Sequence, residues 1–99
     1  MGRYITSTAN FATTTVETAI SYQAKTNDRV LCTAGSITIT LPAAADAVVG
    51  DTVQIIDVGG NSGSANITVA RNGADIQNVA ENLTIDINNS APVLVYTGV

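Results

Sequence analysis

The sequence predicts an all-β fold: a small antiparallel β-sandwich or barrel-like domain of about seven short strands, with an extended N-terminal arm. The clearest evidence is Ser36–Pro42, in which Ile37, Ile39 and Leu41 alternate with serine and threonine. This period of two is typical of a strand with one buried face and one solvent-facing face. The chain is also rich in threonine, valine and isoleucine, and turn residues separate its apolar runs.

The pattern divides the chain into an extended arm, residues 1–17, and a β-sandwich domain, residues 18–99. The arm is rich in threonine and serine and has few large apolar side chains, so it cannot bury enough surface to fold alone. We predict that the arm docks on a partner or another subunit through its apolar residues, Tyr4, Ile5, Phe11 and Val16. The alternative is a frayed terminus.

The first strands are predicted at Thr18–Ala24 and Arg29–Thr33, with turn residues between them at Thr26–Asp28. The alternating strand follows and ends at Pro42, which has no amide hydrogen to donate to a neighbouring strand. The alanine-rich segment 43–50 then predicts a loop with one helical turn, because the glycine at its end stops a longer helix.

Two later strands, Asp51–Val58 and Pro92–Thr97, carry apolar residues on both faces. In a domain this small, a strand that is apolar on both faces favours a subunit interface. The predicted interface residues are Val53, Ile55, Ile56, Val58, Val93, Leu94, Val95 and Tyr96. The alternative is a central strand, or a bulge that switches the buried face.

Glycine and asparagine mark two further connections. Gly59–Ser64 predicts a hairpin loop, and Asn72-Gly73 is the dipeptide best suited to positive φ in a tight hairpin turn. Further short strands are predicted around Ile67–Val69, Asp75–Gln77 and Leu83–Ile87. The alternation has no fixed period, which predicts that the chain is not a repeat solenoid.

Charge and hydropathy narrow the class of protein. The formal net charge is −4, and the four basic residues are scattered, so we expect no nucleic-acid partner. Charged residues make up 12% of the chain, below the roughly one quarter of a typical soluble domain, which favours a surface partly covered in an assembly. No apolar run approaches the roughly 20 residues of a membrane span, and the first residues lack the apolar core of a secretory signal, so we expect no membrane partner.

The sequence predicts neither a catalytic site nor a metal site, so we expect no enzyme, no cofactor and no metal. The chain has no histidine, the commonest general base and metal ligand. The single cysteine, Cys32, lies in an apolar strand and is predicted to be a buried, unreactive thiol. Asp57 and Asp86 fall within strands and could form a glycosidase-like pair, but a solvent-facing position or a salt bridge to Arg71 is favoured.

Six segments carry a resemblance to a known class of module: Ile37–Pro42, Gly50–Val53, Ile56–Gly60, Thr68–Gly73, Leu83–Asp86 and Val93–Gly98. In order and spacing they resemble a small β-rich structural module of tailed-bacteriophage virions, cyanophages among them. The likeness runs from Thr18 to Gly98. The resemblance implies a head decoration (cement) protein or a tail- or neck-associated fibre, commonly trimeric.

Because the chain has no coiled-coil heptads, it looks more like cement than fibre. The resemblance then implies a homotrimer on the outer surface of the capsid, made in the host cytoplasm, whose arm contacts the major capsid protein. Binding only to the expanded shell would stabilise that state by mass action. The alternatives are a tail- or neck-associated adaptor and a carbohydrate-binding module.

Overall fold

A computed structural model describes residues 14–73 and 81–97 of the chain, and these residues form an all-β sandwich. Within the described ranges, eight short strands form two four-stranded sheets. The strands are β1 (Thr14–Thr18), β2 (Tyr22–Gln23), β3 (Asp28–Cys32), β4 (Thr38–Thr40), β5 (Thr52–Asp57), β6 (Ile67–Ala70), β7 (Leu83–Ile85) and β8 (Val93–Val95). The sandwich prediction is therefore confirmed, and the short strand predicted at 75–77 lies outside the described residues.

The prediction that the sheets are antiparallel is wrong for most strand pairs. One sheet has the order β1-β3-β5-β8 and the other β2-β4-β6-β7. The pairs β1/β3, β3/β5, β2/β4 and β4/β6 are parallel, and only the last strand of each sheet, β8 or β7, pairs antiparallel. Alternation in a sequence reports one buried face, and it carries no information on the direction of the neighbouring strand.

The chain path explains the parallel pairing. From β1 to β6 the chain passes from one sheet to the other with each strand, so every second strand returns beside its predecessor in the same direction. The separation along the sequence between paired residues differs from one strand pair to the next: Thr14 pairs with Asp28, whereas Thr38 pairs with Thr68. The path therefore winds between two sheets without the fixed sequence period that a regular solenoid shows.

The same path changes the role of two predicted turns. Gly59–Ser64 joins β5 to β6, which lie in different sheets, so it is a crossing loop and the hairpin prediction is wrong. Gly73 has the predicted positive φ, 91°. The strands on either side of it, β6 and β7, do pair antiparallel, but their connection runs from Arg71 to Asn82 and is longer than a tight turn.

One apolar core lies between the two sheets. Inward-facing residues of β3 to β7 form it, together with two residues outside the strands: Ala24, Val30, Cys32, Ile37, Ile39, Val53, Ile55, Ile67, Val69 and Ile85. The residues predicted to face inward from the alternating strand, Ile37 and Ile39, are both buried, and Leu41 packs against the core. A continuous core of β-branched side chains is what stabilises so small a domain.

The sandwich begins inside the segment predicted as an arm. β1 starts at Thr14 and pairs with β3 over its whole length, so Val16 lies opposite Val30 in the sheet. An arm deletion that leaves this sheet intact must stop before Thr14. After β4, a single 3₁₀ turn at Ala44–Asp46 confirms the predicted helical turn in the loop.

Candidate binding surface

Four exposed valines lie in two neighbouring segments and are here together called the valine surface: Val48, Val49, Val93 and Val95. Their side chains are 67%, 68%, 54% and 55% exposed. Val93 and Val95 come from the outer face of β8, opposite Gln54 and Thr52 of β5. Exposed apolar side chains that cluster in one region of a domain are typical of an interaction surface.

The loop that carries Val48 and Val49 is fixed beside the end of β8. Asp51 accepts a hydrogen bond from the Val48 amide through Oδ2 at 2.8 Å, and the Asp51 amide donates to the Val48 carbonyl at 2.9 Å. The Gly50 amide donates to the Tyr96 carbonyl at 2.8 Å. The two exposed valines at the loop tip are therefore held in a hydrogen-bonded turn next to β8.

A groove of about 260 Å³ opens beside this surface. Its walls are mostly apolar and are formed by Thr26, Leu41, Pro42, Ala47, Asp51, Val53, Asn72, Leu83 and Pro92–Tyr96. The groove lies where the end of β4 in one sheet approaches β8 of the other. Val93 and Val95 belong both to the valine surface and to the groove wall, so the two form one continuous surface.

The main chain of β8 also faces outward. The Pro92 carbonyl accepts from the Ile55 amide at 3.0 Å, and Tyr96 forms main-chain hydrogen bonds on the same side. Because hydrogen-bond direction alternates along an antiparallel strand, the N–H and C=O groups of Val93 and Val95 point to the opposite side. In the described part of the chain β8 is the last strand of its sheet, so this side is a sheet edge.

Three of the predicted interface residues face the core. Val53 and Ile55 are 5% and 0% exposed, and Leu94 packs against the same cluster. Because β5 is a central strand whose alternate side chains fill the subunit's own core, the interface prediction is wrong for Ile55. Val53 and Leu94 also line the groove, and for these two residues the subunit interface stays a prediction.

The remaining predicted interface residues point outward or lie at the groove. Ile56 is half-buried on the outer face of β5, opposite Leu31, and Val58 is 45% exposed just after that strand. Val93 and Val95 belong to the valine surface, and Tyr96 lines the groove. For these residues the subunit interface stays a prediction. The valines at 48 and 49 were missed because a loop gives no alternating pattern.

Three of the four predicted arm contacts, Tyr4, Ile5 and Phe11, lie outside the described residues. Val16 is half-buried in β1, so it belongs to the sandwich and not to an arm.

Asp57 forms a separate polar centre at the end of β5. It is fully buried, and its carboxylate accepts hydrogen bonds from the main-chain amides of Gly60, Asn61, Ser62 and Asn89 at 3.0 to 3.3 Å. The Ser62 hydroxyl lies 2.8 Å from Asp57 Oδ2 and 2.6 Å from the Ile87 carbonyl. The carboxylate thus joins the crossing loop after β5 to the turn after β7.

These donors control the ionisation of Asp57. Burial alone would raise the pKa of the carboxyl group, but hydrogen bonds from Ser62, Asn89 and Asn61 outweigh it and lower the pKa to about 2. The predicted solvent-facing position of Asp57 is wrong: the residue has the same parity as Val53 and Ile55 and points inward. That parity is the signal in the sequence that would have identified Asp57 as buried. Asp86, the other member of the glycosidase-like pair that was not favoured, is exposed.

A second buried carboxylate, Asp28, fixes the turn before β3. It accepts from the Tyr22 hydroxyl and from the Lys25 amide, each at 2.8 Å. Burial, the hydrogen bond to Asp28 and the charge of Asp28 together raise the pKa of Tyr22. Both buried aspartates are therefore occupied by donors of their own subunit, which is the arrangement of structural carboxylates.

Within residues 14–73 and 81–97, no three histidine, cysteine, aspartate or glutamate side chains are placed to hold a metal ion. No helix in the same ranges is long and apolar enough to cross a membrane. No protein-family model matches the chain, and no curated protein matches it.

Cys32 is expected to resist thiol reagents in the folded protein. It is fully buried, and burial, together with the negative charge of Asp57, raises its pKa from 9.0 to about 11. At mildly alkaline pH very little of the reactive thiolate is present. Alkylation followed by mass spectrometry should give slow labelling in native buffer and complete labelling in denaturant. Equal rates in the two conditions would contradict the buried position.

Proposed function

We propose that the protein is a virion structural protein, a capsid decoration protein of a tailed bacteriophage that binds the outside of the head as a homotrimer and stabilises the shell. The observation that carries the self-association is the continuous surface made by the valine surface, the groove and the edge of β8. The resemblance of residues 18–98 to phage structural modules supports the location in a virion.

The size of the valine surface decides how a subunit contact must be built. Burying four valines that are about half to two thirds exposed contributes on the order of 1 kcal/mol each, or about 4 kcal/mol for one face. Association costs roughly 4–15 kcal/mol in lost freedom of motion. The valines alone therefore only reach the lower end of that cost, and a stable contact needs the groove and the strand edge as well.

The edge of β8 supplies such a contribution. A strand from a neighbouring subunit can pair with the outward main-chain groups of Val93 and Val95 while its side chains cover the valine surface. In a trimer, three such heterologous contacts close into a ring, so each subunit covers the apolar surface of the next. This arrangement explains why a chain with few charges leaves these valines exposed in a single subunit.

The position in the virion is tested by antibody labelling of intact particles, scored by electron microscopy. Regular labelling over the head is the expected result, since a decoration protein occupies repeated sites on the capsid lattice. Labelling confined to the tail or neck would replace the proposed role with that of a fibre or adaptor. Intact particles that carry no label at all would contradict a virion role altogether.

A further inference from the structure

We propose that Asn72 and Gly73 form a self-modification site at which the folded protein converts Asn72 to aspartate or isoaspartate. Asn72 is the only asparagine in the sequence that is followed directly by glycine. It comes two residues after β6, and it lines the groove described above. The modification places a new negative charge in the wall of that groove.

Gly73 is exposed, in an open part of the turn after β6. A Cβ at this position would meet nothing nearer than Ala44 Cβ at 3.5 Å, and φ is 91°. Glycine therefore adopts here a conformation that other residues reach only with strain, and it adds no side chain of its own beside its nitrogen. The neighbouring asparagines differ in this respect, because each precedes a residue with a side chain.

The Asn72 side chain contacts the residue that follows β4. Asn72 is half-buried, and its Nδ2 donates to the Leu41 carbonyl at 3.2 Å. The Asn72 carbonyl accepts from the Ala44 amide at 3.0 Å, which fixes the turn but not the side chain. By contrast, Asn88 Oδ1 accepts from the Gly63 amide at 2.7 Å, and Asn89 lies in the polar centre around Asp57.

The reaction needs water and no other co-reactant. The Gly73 nitrogen loses its proton and forms a bond to Asn72 Cγ, the Cγ–Nδ2 bond breaks, and Nδ2 leaves as ammonia. The resulting five-membered imide then adds one water molecule. Opening the bond at Cγ restores the main chain with an aspartate, and opening the other imide bond gives isoaspartate. Since the attacking nitrogen must lose a proton, the rate rises with pH.

Conversion changes the groove in a defined way. The hydrogen bond from Nδ2 to the Leu41 carbonyl is lost, because the new carboxylate has no proton to donate. The Leu41 carbonyl oxygen cannot donate to the carboxylate either. The groove then contains a second carboxylate besides Asp51.

The test is a time course on the purified full-length chain, kept folded at mildly alkaline pH and mapped by peptide mass spectrometry with fragmentation that separates the two products. Asn72 should convert roughly tenfold faster than Asn61, Asn88 or Asn89, because only Asn72 precedes a residue without a Cβ. Gly73→Ala and Gly73→Ser are the matched variants, with folding checked by circular dichroism, and each should slow conversion at Asn72. Conversion no faster than at the other asparagines, or equal rates in the wild type and in a folded Gly73 variant, would overturn the proposal.

Discussion

Replacing Asp57 with alanine is expected to destabilise the domain by about 3–5 kcal/mol, because a group of buried donors then loses its common acceptor. Four main-chain amides and one hydroxyl point at this carboxylate. The loss is a large part of the roughly 5–15 kcal/mol that stabilises a small domain. Urea unfolding followed by circular dichroism measures it.

Asp86→Ala is the matched control for this experiment. Asp86 is also an aspartate at the end of a strand, but it is exposed, so its removal should change stability by less than about 0.5 kcal/mol. Should Asp57→Ala fail to fold, Ser62→Ala gives a milder version, with an expected loss of about 1 kcal/mol from one hydrogen bond. Equal unfolding midpoints for the wild type and Asp57→Ala would contradict the structural role of this carboxylate.

The Asp57 site also predicts that the stability of the folded domain decreases in acid. The folded-state pKa of Asp57, about 2, lies below the ordinary 3.8. The stabilisation from the ionised carboxylate is therefore fully present above pH 3.8 and is lost as the pH falls through about 2. Asp57→Asn keeps the shape of the side chain but cannot ionise. Urea unfolding of this variant should show a weaker loss of stability over that pH range than the wild type shows.

The double variant Val93→Lys, Val95→Lys is expected to convert the proposed trimer to a monomer. An unpaired ammonium group forced into a subunit contact costs about 3–5 kcal/mol. Since each 1.4 kcal/mol is a factor of ten, association should weaken by at least about a hundredfold. Both side chains are more than half exposed in the single subunit, so its own fold should change little in stability. Light scattering coupled to size exclusion reports the mass.

Ile20→Lys is the control for charge and lost apolar surface. Ile20 is 73% exposed and follows β1, whose end lies beside the ends of β3 and β5. Val95 pairs with Thr52, at the start of β5, so the two sites lie at opposite ends of the sheet. The control should keep the mass of the wild type. An unchanged mass in the valine double variant would exclude the edge of β8 from the contact.

The sequence was informative about which residues are buried in each strand. The alternation of Ile37 and Ile39, the end of the strand near Pro42 and the helical turn after it all follow from local chemistry, namely the period of two and the missing amide of proline. These signals depend on a residue and its near neighbours, so a single sequence contains them.

The pairing of the strands could not be predicted in the same way. Whether Gly59–Ser64 turns back along β5 or crosses to the other sheet depends on where the core of the whole domain lies, and the loop sequence suits both paths. The first strand shows a related limit: Thr14–Thr18 has few apolar residues and is defined by its pairing with β3. Tertiary contacts, not local propensity, determine such elements.

The candidate surface was predicted in part. The sequence shows two strands that are apolar on both faces, but it could not separate the inward set, Val53 and Ile55, from the outward valines of β8. The polar centre at Asp57 was missed, although the residue shares the parity of its buried neighbours, because a carboxylate facing inward is unfavourable unless donors surround it. Those donors come from a loop and a turn whose positions only the fold defines.

Sedimentation velocity of the unmodified full-length chain at micromolar concentrations is the most direct measurement of self-association through the valine surface. A single species with the mass of a trimer is the predicted result, and it should shift to the monomer mass in the Val93→Lys, Val95→Lys variant. A monomer throughout the concentration range would contradict the proposed subunit contact and with it the proposed mode of shell decoration.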